Sequence, residues 1–101
     1  MPVLHVAFQE GFSGERVVDT LNGREVFAKD GIKTRTQIGL ADHFDVEQAP
    51  GAQRLEVSVA GRGATRSLEL RVEEAPTYVG VSLDENGQIR FRSSSEPFGY
   101  V

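Results

Sequence analysis

The sequence predicts an all-β domain, an antiparallel sandwich of about seven or eight strands. Three observations carry that expectation. The stretch from Arg54 to Val72 reads RLEVSVAGRGATRSLELRV. Leu55, Val57 and Val59 alternate with polar residues, a Gly-rich turn follows, and Leu68, Leu70 and Val72 alternate again. Period two on both sides of a glycine turn marks a hairpin with one oily and one wet face. Turn signals then recur along the chain at Asn22-Gly23, Asp30-Gly31, Pro50-Gly51 and Asn86-Gly87. Finally, no segment longer than a turn or two has helical periodicity. A sheet with one oily face needs a second layer, so the remaining strands must supply another sheet.

The elements follow in order. Val3 to Gln9 alternates, with Leu4, Val6 and Phe8 on one face, and predicts the first strand. Glu10 to Gly14 is a turn. Glu15 to Leu21 is a strand. Asn22-Gly23 suits a type I′ turn, which needs positive φ at both central residues. Arg24 to Ala28 returns as a strand, and Asp30-Gly31 marks the next turn. Ile32 to Ile38 is rich in β-branched residues and predicts a further strand. Leu40 to Asp45 reads as a helical turn, and Phe44 to Gln48 as a short extended piece. The Arg54–Val72 hairpin comes next, and then a connection broken by Pro76. Tyr78 to Leu83 alternates around Val79, Val81 and Leu83. Asp84 to Gly87 is a hairpin loop, and Gln88 to Arg92 returns with Ile89 and Phe91 toward the core. The expected organisation is one domain over residues 1–92 and a C-terminal tail over 93–101.

A chain of 101 residues is one domain and buries ~60–68% of its unfolded-chain surface. No cysteine is present, so neither disulfides nor thiolate metal sites are available. A net charge of −4 argues against binding along a nucleic-acid backbone, which concentrates positive charge. No apolar run approaches the ~18 residues of a membrane helix. Met1-Pro2-Val3 opens straight into strand pattern, and no signal peptide is expected. The location is left open.

Glu15 to Gly23 can be laid over Gln53 to Gly61, two hairpins of similar build. The overlay places Asp19 where the second hairpin has core-facing Val57. Asp is depleted in strands, and an unpaired carboxylate in a core costs several kcal/mol or takes up a proton.

The Leu55–Val72 hairpin resembles the last hairpin of an immunoglobulin-like or fibronectin-like sandwich. Leu40-Ala41-Asp42 resembles the corner that precedes it. The resemblance covers about a third of the chain. There is no cysteine pair, no tryptophan and no corner tyrosine, and further strands follow where such domains stop. It implies a sandwich and transfers no functional residue.

Candidate chemistry is sparse. His5 and His43 are the chain's histidines. Ser13, Asp42 and His43 lack any context that would assemble a triad. Asp42, His43 and Asp45 form the densest polar cluster and could offer two or three ligands to a divalent ion. Calcium would want six to eight oxygens, and zinc a further histidine or cysteine. In the simpler reading Asp42 caps a turn and Asp45 is solvated. The acids of Asp84-Glu85-Asn86-Gly87 fit a solvated hairpin tip. No catalytic residue, metal or cofactor is expected.

Across an Asn22-Gly23 turn, Asp19 would oppose Val26 and Val18 would oppose Phe27. Val17, Leu21 and Val26 then share one side, and Val18 and Phe27 the other. One side fills the core, and the other is an apolar patch needing cover. The tail carries Phe98 and Tyr100. Val18, Phe27, Phe98 and Tyr100 are therefore the candidate partner surface, covered by the tail, a protein partner or a second copy of the chain. The expected function is a non-catalytic module that binds a protein or a glycan or assembles with itself. The alternative is a small metal- or ligand-binding domain built on Asp42, His43 and Asp45.

Overall fold

The computed structural model describes residues 3–35, 37–61, 63–73, 75–96 and 98. Eight strands run in order: β1 (Val3–Phe8), β2 (Ser13–Leu21), β3 (Arg24–Lys33), β4 (Asp42–Glu47), β5 (Gly51–Val59), β6 (Ala64–Val72), β7 (Thr77–Leu83) and β8 (Ile89–Ser94). They form two four-stranded sheets, in the orders β4-β1-β7-β8 and β3-β2-β5-β6. The two sheets pack face to face as a sandwich. The first is mixed rather than antiparallel throughout, because β1 lies parallel to β7, with Val6 opposite Val79. Among the described residues no helix is long and apolar enough to cross a membrane.

The alternating residues meet between the sheets. Leu4, Val6, Phe8, Leu55, Val57, Val59, Val79, Val81 and Ile89 are buried. Leu68, Leu70 and Phe91 are partly buried and pack against that core. Their strands, β6 and β8, are the outer strands of their sheets, where one flank stays open to water. Asn22 and Gly23 both have positive φ, 53° and 84°, as the hairpin between β2 and β3 requires. Asn22 also ties this turn to β5: the Arg54 N–H donates to its Oδ1 at 2.9 Å. Its side-chain amide donates to Gln53. Buried Gln53 in turn donates to the Ala49 carbonyl at 2.9 Å, so its polar atoms are satisfied.

Three local expectations are corrected. Asp30-Gly31 is not a turn between strands. Glu15 pairs with Ile32 and Val17 with Lys29, so β3 carries one extra residue there as a bulge. Gly31, at φ 70°, supplies the left-handed conformation that such a bulge uses. The strand expected over Ile32 to Ile38 is therefore the end of β3 followed by a tight turn, in which Arg35 bridges to Leu40. Asp42 to Glu47 is a strand rather than a helical turn. Phe44 and Val46 alternate with exposed His43, Asp45 and Glu47, and β1 pairs along its whole length.

The register of the first hairpin is also corrected. Leu21 pairs with Arg24 and Thr20 with Glu25, but Asp19 then faces Phe27, and Val18 faces Ala28. A bulge at Val26 shifts the rest of β3 by one residue, which turns Phe27 to the other face. Phe27 lies 5.1 Å from Phe8 and 4.8 Å from Phe44 between ring centroids. Phe8 also meets Phe12 edge-on at 5.7 Å, a favourable aromatic geometry. Val18 remains on the outer face, between Ala28 and Ser58.

Asp19 lies on the core side of β2, fully buried, with Val57 as its partner on β5. Neither carboxyl oxygen has a hydrogen-bond partner. Burial pushes its pKa from 3.8 up to about 8. The folded state thus holds a neutral acid, while the unfolded chain ionises. Stability is unpenalised below pH 3.8, falls as pH rises, and reaches its full loss above about 8. At pH 7 the loss is on the order of 4 kcal/mol.

Two predictions follow from these placements. Asp19→Val should raise the urea midpoint at pH 7.5, and the gain should shrink toward pH 4. A gain equal at both pH values would show that the carboxyl is not desolvated. Phe27→Ala should cost about 2–4 kcal/mol and Val18→Ala less than about 1. Urea denaturation giving the reverse order would restore the unbulged register.

Candidate functional site

The outer faces of the two sheets differ in chemistry. That of the second sheet is a mesh of polar side chains. Arg54 donates to the Ser67 hydroxyl at 3.3 Å, and Thr65 to the Ser58 hydroxyl at 3.2 Å. Val18 is half-buried among such residues. It is separated from Phe27, so the two do not form the expected apolar patch.

The outer face of the first sheet collects both histidines, a tyrosine, an arginine and Phe98. The pairing of β4, β1, β7 and β8 lines up Asp45, His5, Tyr78 and Ser94 in one row. The adjacent row is His43, Ala7, Gly80 and Arg92. His5 sits there because Leu4 and Val6 take the core side of β1, and strand alternation puts the residue between them outside. Its Nδ1 lies 2.6 Å from Asp45 Oδ1. Its ring stacks on Tyr78, with centroids 4.6 Å apart and planes within 10°. The stack and the carboxylate fix the imidazole from two sides.

The second row has a low floor. A Cβ on Gly80 would come within 2.5 Å of Gln9 Oε1, so the buried Gln9 amide lies where a larger residue would stand. At the far side the Arg92 guanidinium covers the Phe98 ring, 4.3 Å from its centroid, a cation–π distance. Phe98 is thereby held, half-buried, against β8. Tyr100 lies outside the described residues. β8 reaches Ser94, two residues into the stretch expected to be tail.

The strand conformation of β4 separates the proposed ligand set. Asp42 falls on the opposite face from His43 and Asp45. Its carboxylate accepts a hydrogen bond from Lys29 Nζ at 2.7 Å and from the His43 N–H at 2.8 Å. Partial burial pushes its pKa up, but Lys29 and the His43 amide outweigh this, and the net direction is down. Among the described residues no group of three His, Asp or Glu side chains could hold a metal ion. Asp84 is a structural acid. Its carboxylate accepts from the N–H groups of Asn86 and Gln88, each at 2.9 Å, and from Arg90 at 3.0 Å. The Gln88 amide, then Asn86 and Arg90, hold its pKa down.

Sequence reasoning placed His5 on a wet face but missed its pairing with Asp45 and Tyr78. The signal was available only in part. The alternation of Phe44 and Val46 marks β4 as a strand with His43 and Asp45 outward, but nothing in the sequence shows that β4 and β7 flank β1.

No family model matches the chain, and no curated protein matches it. Among solved structures it is similar to one described as the NMR structure of the protein from Eubacterium rectale. The two share 19% sequence identity over 90% of this chain and 85% of that one, with a TM-score of 0.52. That likeness is one of fold.

Proposed function

We propose that the chain is a non-catalytic binding module, an immunoglobulin-like sandwich in the broad sense, whose outer first-sheet face receives a protein partner. The observation that carries this reading is the gathering of His5, Tyr78, Arg92 and Phe98 on one sheet surface. Tyrosine, arginine and phenylalanine are the side chains enriched in protein interfaces, and tyrosine and arginine among their hot spots. The His5–Tyr78 stack and the Arg92–Phe98 contact restrict these side chains before binding, which lowers the ordering cost. A glycan is the second ligand class this face suits, because it offers aromatic rings beside hydrogen-bonding groups. A second copy of the chain is one form the protein partner can take.

The test compares Tyr78→Ala/Arg92→Ala with Arg54→Ala/Thr65→Ala, a control pair on the other sheet's outer face. Sedimentation velocity reads self-association, and immobilised chain reads binding to a cell extract and to an oligosaccharide array. The expected result is that whatever wild type binds, the first variant loses by at least tenfold and the control keeps. Loss by the control with retention by the first variant would overturn the reading. Binding confined to the array would replace protein with glycan.

A further inference from the structure

Beside the end of β3 and the Arg35–Leu40 bridge lies an open cleft of about 500 Å³. Lys29, Lys33, Thr34, Arg35, Gln37 and Asp42 line it. Both lysines of the chain are among them. Three cations thus face one acid in a chain whose net charge is −4. Asp42 is committed to Lys29, and nearby Asp30 to Arg16 at 3.1 Å. Lys33 and Arg35 have no carboxylate partner among the described residues.

The walls are fixed by the fold. The Arg35 N–H donates to the Leu40 carbonyl at 3.0 Å, and the Gly39 N–H to the Arg35 carbonyl at 2.8 Å. The Thr34 hydroxyl donates to the Gln9 carbonyl at 2.6 Å and accepts from the Phe12 N–H at 3.0 Å. The Ala41 N–H donates to the Phe8 carbonyl at 2.7 Å. Thr34 is therefore spent on the scaffold, and in the chain it lies between the two unpaired cations. A concave wall in which one sign of charge predominates focuses the field. An arginine fork grips an oxyanion through two parallel bonds, and a lysine adds a point charge. Among the described residues the cleft has no aromatic or large aliphatic wall, so charge and hydrogen bonding must select its ligand. Its volume falls in the ~300–1,000 Å³ range of small-molecule sites and exceeds what a bare ion needs.

We propose that this cleft binds a sugar-sized ligand through an oxyanion, a phosphate, sulfate ester or carboxylate, held by Lys33 and Arg35 with Gln37 beside them. The proposal stands apart from the first-sheet face, and the two fail independently. It is tested by titrating isotope-labelled protein with glucose 6-phosphate, glucuronic acid, inorganic phosphate, a heparin-derived oligosaccharide and neutral glucose, following backbone amide shifts. At least one anionic sugar should give saturable shifts confined to residues 29–42, and glucose none. Lys33→Ala/Arg35→Ala, two exposed positions, should weaken that binding at least tenfold while keeping a folded spectrum. Binding of the monosaccharides assigns a free anionic sugar, and binding of the oligosaccharide alone assigns a residue within an anionic glycan. Saturation by inorganic phosphate alone, shifts mapping elsewhere, shifts surviving in the variant, or no saturable shift with any anion would overturn the proposal.

Discussion

Two cations on the core side of edge strands hold the flanks of the sandwich. Lys29 stands opposite buried Val17, and Arg66 opposite buried Val57. Both belong to outer strands of the second sheet, and both reach across to the first. Lys29 meets the Asp42 carboxylate, and Arg66 donates to the Ile89 carbonyl at 2.9 Å. Each links a pair of strands, β3 with β4 and β6 with β8, that share no ladder. A sandwich built of open sheets must close its flanks or leave edges that recruit other chains, and inward charges are a recognised way to blunt them. Here the same charges also span the gap, so edge protection and sheet-to-sheet attachment fall to the same side chains.

The Lys29 flank matters most for the candidate surfaces. The Phe27–Phe44 stack lies beside it and packs β4 against the second sheet. With β4 seated there, His43 and Asp45 are carried outward, and Asp45 comes to the height of His5. The pairing of β7 on the other side of β1 brings Tyr78 to the same height. The outer face of the first sheet is thus a product of strand order rather than of any local motif. Its members come from positions 5, 45, 78 and 92, which no spacing rule would group.

What could be read in advance follows the reach of the interactions concerned. Alternation gave β1, β5 and β7 their core faces, because period two is a local property and burial enforces it. The Asn22-Gly23 turn was legible because its backbone demand falls on two adjacent residues. The bulge at Val26 was not, since nothing in Glu25-Val26-Phe27 distinguishes a residue that pairs from one that is skipped; the aromatic contacts of Phe27 decide it. Gly31 was read as a turn because the same positive φ serves a turn and a bulge. Asp19 stood out as anomalous in the sequence, and the overlay on Val57 indicated its face, but its lack of a partner is a fact of three-dimensional packing. For the candidate site, the residue types were visible and their neighbours were not.

The parallel pairing of β1 with β7 bears on how the chain reaches this structure. Leu4 contacts Thr77 as a ladder partner, so a loop of most of the chain must close before β1 gains its second neighbour. Loop-closure entropy makes such pairings late, whereas β2–β3 and β5–β6 join strands adjacent in sequence. The chain therefore belongs to the slow-folding class dominated by non-local contacts. During synthesis, Leu4, Val6 and Phe8 emerge early and β7 late. In that interval β1 can pair with β4 alone and shows one bare edge and an uncovered oily face, a window in which chaperone capture and aggregation compete with completion of the sheet.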